Sequence, residues 1–111
     1  MSAGYQNLYL EQGTSFSTTI TLDDVYLNAY NLVGYTASSQ MRKSYYSANA
    51  TATFSTSIDT TTGIITLVLD APTTSNISPG RYVYDTIIVD TNNIVTRILE
   101  GIIDVSASVT R

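Results

Sequence analysis

The side chains that most often perform catalysis are missing from this chain of 111 residues, which contains no histidine and no cysteine. Histidine is the commonest general base and metal ligand, and a cysteine thiolate serves thiol catalysis and thiolate zinc sites. Their absence argues against triad hydrolases, most zinc enzymes, histidine-based pH switches and disulfide frameworks. The sequence therefore predicts a protein without enzymatic activity.

Carboxylates are the remaining groups that could act as acid and base. Asp85, Asp90 and Asp104 could meet as a pair, as two carboxylates do in glycosidases. Asp23 and Asp24 are adjacent and could bind calcium, but the Asp-x-Asp-x-Asp-Gly spacing of a calcium loop does not occur. Turn capping and solvated surface charge explain both sets more simply. We expect no catalytic site, no metal site and no cofactor.

One cluster combines positive charge with aromatic area. The segment Arg42-Lys43-Ser44-Tyr45-Tyr46 joins the two adjacent basic residues of the chain to two of its nine tyrosines. Tyrosine supplies a large contact area at low entropic cost. The cluster is either a solvated strand end or a docking contact for an acidic or apolar partner. On the second interpretation Arg42, Lys43, Tyr45 and Tyr46 are interface residues.

Charge and hydropathy limit the classes of partner. The net charge is −4, and the five basic residues are mostly dispersed. Nucleic-acid binding needs several cationic groups on one face, so we expect no nucleic-acid partner. No apolar run approaches the roughly 18 residues of a membrane span, and no secretory signal follows Met1. The length predicts a single domain, residues 1–111, that does not associate with a membrane.

The elements that must position these residues are strands. No segment has helical periodicity, whereas alternating segments are separated by turn residues at intervals of about ten residues, which is typical of a sandwich or barrel. The expected strands, about seven and mostly antiparallel, are Tyr5–Leu10, Ser15–Leu22, Tyr35–Lys43, Thr51–Ile58, Ile64–Leu69, Tyr82–Val89 and Ile94–Val109.

The connections carry more specific signals. The segment Ala71–Ser78 is expected to cross between sheets and to contain one short helical turn, capped by Thr73 or Thr74. Gly63 is expected in a left-handed turn conformation. Gly101, inside the last strand, indicates a bulge or bend.

The segment from Pro79 to Tyr82 points to one architecture. Pro79 and Gly80 favour a turn, and Tyr82 enters a late strand two residues later. Immunoglobulin-like sandwiches have a tyrosine at this position, whose hydroxyl bonds to the backbone of the connection, or corner, that precedes the strand. The sequence therefore predicts an all-β, immunoglobulin-like antiparallel β-sandwich. In this sandwich Tyr82 is buried and its hydroxyl bonds to backbone near the Ala71–Pro79 crossover.

The strand Tyr82–Val89 is apolar on both faces. One set of side chains is Tyr82, Tyr84 and Ile88, and the other is Val83, Ile87 and Val89. The last strand adds Ile94, Ile98 and Ile102 to the apolar groups that need a cover. A sandwich strand needs one apolar face. The second face is covered either by the Val25–Gly34 loop or by a protein interface formed by Val83, Ile87 and Val89.

Motifs in a fixed order resemble those of a known family. They are Leu8-Tyr9-Leu10-Glu11-Gln12-Gly13-Thr14 with Phe16, Leu32-Val33-Gly34-Tyr35-Thr36-Ala37, Gln40-Met41-Arg42-Lys43, Gly63-Ile64-Ile65-Thr66-Leu67, Ile77-Ser78-Pro79-Gly80-Arg81-Tyr82-Val83-Tyr84-Asp85 and Val95-Thr96-Arg97-Ile98-Leu99-Glu100-Gly101. Together they are similar to the small immunoglobulin-like domain of tailed-phage virion proteins. The chain is similar to the N-terminal domain of upper baseplate proteins, and it also resembles short structural proteins of cyanophages.

The resemblance implies a non-enzymatic virion structural protein: a baseplate or tail, neck or capsid-decorating component. It implies location in the virion and assembly with other phage virion proteins as a homo-oligomer. The family supplies no catalytic residues. The alternative is a carbohydrate- or receptor-binding β-sandwich module whose exposed tyrosines stack on sugar rings. Such a module needs two or three tyrosines on one concave surface, whereas a structural module needs apolar strand faces buried against neighbours.

Overall fold

The computed structural model describes residues 4–21, 33–60 and 63–109, which form nine strands and one short helix. The strands are β1 (Gly4–Tyr5), β2 (Leu8–Glu11), β3 (Phe16–Thr21), β4 (Thr36–Arg42), β5 (Ala52–Thr53), β6 (Ser55–Asp59), β7 (Ile64–Leu69), β8 (Gly80–Val89) and β9 (Val95–Ser106), with helix α1 (Ala71–Ser75) between β7 and β8. None of these residues belongs to a helix with the length and hydropathy of a membrane span.

The strands form two sheets that pack as an all-β sandwich. The larger sheet has the order β1-β9-β8-β4-β5, with β2 also paired to β9, and the smaller sheet has the order β3-β7-β6. Strands β1 and β2 run parallel to β9, and the other described pairs are antiparallel. The predicted immunoglobulin-like sandwich is confirmed, with more strands than expected because two predicted strands are each divided.

Gln6 and Phe54 mark these divisions. Gln6 donates its backbone N–H to the Glu100 carbonyl at 2.9 Å, between β1 and β2. Phe54 donates its N–H to the Ser39 carbonyl at 2.9 Å, after which the chain leaves the large sheet and pairs with β7 in the small one. The alternation of apolar residues continues through Phe54, so the sequence pattern does not reveal that the strand changes sheets.

The core lies between the two sheets. Its fully buried members come from both sheets and include Leu10, Met41, Ile65, Leu67 and Ile103. Strand β4 contributes Ser39 and Met41 to it, and both are buried. The buried hydroxyls are paired: Thr86 donates to Ser39 Oγ at 3.0 Å, and Ser39 donates to the Asp85 carbonyl at 2.7 Å. Pairing removes the cost of burying these polar groups.

The expected corner is present at the start of β8. Tyr82 is 4 % exposed, and its hydroxyl donates a 2.7 Å hydrogen bond to the Ser78 carbonyl. Gly80 has φ of 147°, a conformation that favours glycine. The expected hydrogen bond between Tyr82 and the crossover backbone is therefore confirmed.

Helix α1 is capped by a different residue from the one expected. Asp70 is the N-cap, and its carboxylate accepts the Thr73 backbone N–H at 2.9 Å. Neither Thr73 nor Thr74 can cap, because both lie inside the helix and capping requires an acceptor before it. The Thr74 hydroxyl instead accepts from Gly13 N–H at 3.1 Å and donates to the Thr14 carbonyl at 2.7 Å. It thereby ties α1 to the bend between β2 and β3.

Gly101 does not form the expected bulge. It pairs in regular register with Tyr84, and the irregularity in the β8–β9 ladder falls instead between Thr86 and Ile87. Opposite this shift, Ile98 and Leu99 are both buried although they are consecutive. The glycine instead allows a close approach of the Gln6 backbone. The left-handed conformation expected at Gly63 is confirmed, with φ of 69°.

Candidate functional site

The outer face of the large sheet gathers most of the predicted interface residues. Across β4, β8 and β9, Arg42 is in register with Val83 and Val83 with Ile102. Likewise Asp85 is in register with Gln40 on one side and Glu100 on the other. Side chains alternate along a strand, so these residues point away from the core occupied by Tyr82, Tyr84 and Ile88.

An apolar row crosses this outer face. Val83, Ile87 and Val89 all lie on it and are half-buried, as is Ile102 of β9. Of the isoleucines expected to add to this apolar surface, Ile102 faces outwards but Ile98 faces the core, because the register shift at Thr86 and Ile87 changes the phase of β9. Of the loop considered as a cover, residues 25–32 lie outside the described residues.

Ion pairs divide the outer face. Arg97 contacts the Asp85 carboxylate at 3.3 Å and that of Glu100 at 3.6 Å, while Arg81 contacts Asp104 at 3.0 Å. All five side chains are about a third or more exposed. Exposed pairs of this kind stabilise a fold by roughly 0.2–1 kcal/mol each. The Arg97–Asp85 pair falls within the apolar row, because Asp85 lies between Val83 and Ile87 on β8, and the Arg81–Asp104 pair lies at one end of it.

The carboxylates do not assemble as an acid pair. Asp85 contacts Arg97, whereas Asp104 contacts Arg81, with which it is in register four residues before Asp85 on β8. Four residues along a strand span roughly 13 Å, more than the ~9.5 Å that separates glycosidase carboxylates. Asp90 caps the β8–β9 turn, accepting the N–H groups of Asn92 and Ile94 at 2.8 and 2.9 Å.

No metal centre is formed by the described part of the chain, where no three carboxylates come together. Asp23 and Asp24, considered above for calcium, lie outside the described residues.

The basic-aromatic cluster divides between two places. Arg42 lies on the outer face, where its guanidinium donates to the Ser47 carbonyl at 3.0 Å and to Gln40 Oε1 at 2.9 Å. Lys43 lies at the corner, with its ammonium 4.9 Å from the centre of the Tyr82 ring. Tyr45 is 68 % exposed and Tyr46 is 96 % exposed. Only Arg42 and Tyr45 of the cluster therefore contribute to the outer face described here.

A shallow depression lies in the outer face beside Tyr45. It has a volume near 180 Å³ and is lined by Gln40, Arg42, Tyr45, Val83, Tyr84, Asp85 and Arg97. Part of its polar lining is already engaged, since Arg97 pairs with Asp85 and Arg42 donates to Gln40 Oε1. Burial, with a smaller effect of nearby Tyr5, raises the pKa of Tyr84 to about 12. A phenol with a raised pKa stays protonated at neutral pH and is a poor general base.

Two exposed tyrosines of this face were missed by the sequence reasoning. Tyr5 is in register with Glu100 and Tyr9 with Asp104, through the parallel pairing of β1 and β2 with β9. Tyr9 is 74 % exposed. The alternation of Leu8 and Leu10 was the signal that could have placed Tyr9 outwards.

Neither a protein-family model nor a curated protein matches the chain. Among solved structures, the chain is similar to an internalin-like protein of Listeria monocytogenes, with a TM-score of 0.48 and 21 % identity. The match covers 96 % of this chain and 28 % of that protein. The chain therefore spans less than a third of the length of that protein.

Proposed function

We propose that this chain is a non-enzymatic structural component of a tailed-phage virion that binds neighbouring virion proteins through the outer face of its large sheet. The motif order described above supports a virion part, in the baseplate or tail, the neck or the capsid decoration. The observation that carries assembly through this face is the apolar row of Val83, Ile87, Val89 and Ile102. The opposite face of the same sheet already packs on the small sheet.

The composition of the outer face fits a protein interface. Protein interfaces combine apolar contacts with polar ones. Here the Arg97–Asp85 pair lies between Val83 and Ile87 in the row, and the Arg81–Asp104 pair lies at its end. Tyrosine and arginine are the residue types enriched among binding hot spots. The exposed Tyr5, Tyr9 and Tyr45 supply that chemistry around the row. A stable contact buries about 1,000 Å² or more in total, which favours a homo-oligomer or a ring of virion proteins.

The test is a charge placed in the row. Ile87→Asp should keep the fold, by circular dichroism, and abolish assembly, measured as the mass in solution and as incorporation into particles. The matched control is Val68→Asp, on the exposed outer face of the small sheet, which should leave assembly intact. The wild type should be heavier in solution than the 12.0 kDa monomer, or should be found in virions. A wild-type chain that stays monomeric and joins no particle contradicts the proposal, as does an Ile87→Asp variant that assembles normally.

A second candidate function, glycan binding, is favoured by the depression beside Tyr45. An exposed tyrosine next to Asp85 and Gln40 is a combination that can stack on a sugar ring and bond its hydroxyls. The outcome that favours this function is glycan binding that is lost in Tyr45→Ala and retained in Ile87→Asp. Assembly that is lost in Ile87→Asp while no glycan is bound favours the structural role.

A further inference from the structure

We propose that the free edge of β3 binds an extended, basic segment of a partner protein by strand addition, in the groove between β3 and β2. This site is separate from the apolar row. Strand β3 pairs with β7 along all six of its residues. Among the described residues no strand lies on its other side. Alternate residues of such an edge direct their backbone N–H and C=O groups outwards, where they can pair with another chain.

The β3 edge lacks the features that usually block strand addition. Natural edges are protected by charges, prolines, bulges or short length, whereas β3 reads Phe-Ser-Thr-Thr-Ile-Thr and pairs without a register shift. The other edges are less accessible. The Thr56 side chain of β6 donates to the Ala37 carbonyl at 3.0 Å, β5 has two residues, and the β1–β2 edge is interrupted at Gln6.

A groove lies beside the start of β3, where the sandwich opens between β3 and β2. Its volume is about 510 Å³, and its apolar lining is formed by Leu10, Phe16 and Val105. Leu10 and Val105 are buried members of the core, and Phe16 is half-buried. A strand added to β3 would direct every second side chain towards this lining. Affinity would come from main-chain hydrogen bonds and specificity from these side chains.

The charge at the groove selects the kind of segment. Glu11 and Asp104 both line it, beside the exposed ring of Tyr9. In the described part of the chain Glu11 makes no ion pair, and Asp104 has only the exposed Arg81 contact at 3.0 Å. A lysine or arginine of the incoming strand would complement these carboxylates, whereas a second copy of this acidic chain, with net charge −4, would add repulsion. The six residues of β3 span roughly 20 Å, enough for a segment of about six residues.

The probe is a labelled octapeptide in which valine alternates with lysine, followed by fluorescence anisotropy. Its controls are the same peptide with glutamate for lysine and the lysine peptide N-methylated at every residue, which has no backbone N–H to donate along either edge. We expect the lysine peptide to bind at least tenfold more tightly than either control. Glu11→Lys should weaken its binding at least fivefold, and Ile87→Asp should leave it unchanged.

Two protein variants test the edge directly. Thr18→Pro and Thr19→Pro remove adjacent N–H groups, which point to opposite sides of β3, so one of the two variants leaves the β3–β7 ladder complete. The variant that stays folded should not bind the lysine peptide. Equal binding of the lysine and glutamate peptides, unweakened binding of the N-methylated peptide, or no binding at all would overturn the proposal. The proposal would also be overturned if the wild type were a dimer and the folded proline variant a monomer, because a second copy of the chain would then occupy the edge.

Discussion

The phenol oxygen of Tyr84 lies 2.7 Å from the carbonyl oxygen of Gln6, to which it donates a hydrogen bond. Tyr84 is on β8, and the bond crosses β9 at Gly101, the register partner of Tyr84. The missing side chain of Gly101 leaves room for this contact. Gln6 also donates its N–H to the Glu100 carbonyl. The break between β1 and β2 is therefore held from two sides.

Gly101→Ala should destabilise the fold because its new methyl group would collide with the Gln6 carbonyl and lie 3.2 Å from Tyr84 Cε1. Overpacking of this kind costs about 1–3 kcal/mol. The matched control is Gly4→Ala in β1, whose methyl group would find Leu99 Cδ1 at 3.5 Å, an ordinary contact. Urea unfolding of both variants measures the difference. Equal free energies of unfolding would contradict this role of Gly101.

Tyr84 should make the fold sensitive to alkali. Burial raises the pKa of its hydroxyl to about 12, from an ordinary value of 10.0. The folded state holds the proton more tightly, so this stabilisation is complete below pH 10 and is lost as the pH rises towards 12. A shift of this size corresponds to about 2–3 kcal/mol. Urea unfolding between pH 9 and 11.5 measures the loss.

Tyr84→Phe is the control for the alkaline transition, because the other tyrosines also lose protons in this range. The variant should be less stable at pH 7 by about 1 kcal/mol, since the bond to Gln6 is lost. Its stability should fall less steeply above pH 10. A wild type and a Tyr84→Phe variant with the same slope would contradict the assignment.

The sequence predicted the faces of the strands better than their breaks. Alternation placed Val83, Ile87 and Val89 on the face opposite Tyr82 because side chains alternate along a strand. It could not show that the strand changes sheets at Phe54, since the inward phase continues there. It also could not show that Ile98 faces the core, because one inserted residue in β9 changes the phase without a marker in the sequence. Gly101 was identified as special for the wrong reason, since its close contact to Gln6 is distant in sequence.

The candidate site was predicted only in part, because alternation within a strand can be read from the sequence and pairing between strands cannot. Val83, Ile87 and Val89 were grouped correctly because they belong to one strand. Tyr5 and Tyr9 were not, because their place on the outer face depends on parallel pairing with β9, which no local signal announces. Lys43, also predicted as an interface residue, lies over Tyr82, a contact between residues distant in sequence.

Asp70 should stabilise α1 in a pH-dependent way. Hydrogen bonds from the Thr73 side chain and then its backbone lower the pKa of the Asp70 carboxyl below 3.8. A lowered pKa means that the stabilisation is present above pH 4 and is lost as the pH falls. Asp70→Ala should lower the free energy of unfolding at pH 7, and its difference from the wild type should shrink towards pH 2.5. Asp70→Asn retains a capping oxygen and should stay near the wild type at pH 7.

The corner tyrosine provides the last prediction. Tyr82→Phe removes the 2.7 Å hydrogen bond to the Ser78 carbonyl and should cost about 1 kcal/mol. Tyr82→Ala also empties a core position that is 4 % exposed, and should cost about 3–5 kcal/mol. Tyr9→Phe is the matched control, since Tyr9 is exposed and should change stability by less than about 0.5 kcal/mol. Thermal and urea unfolding measure all three. If Tyr82→Ala were no more destabilising than Tyr9→Phe, the corner would not hold β8 to the crossover.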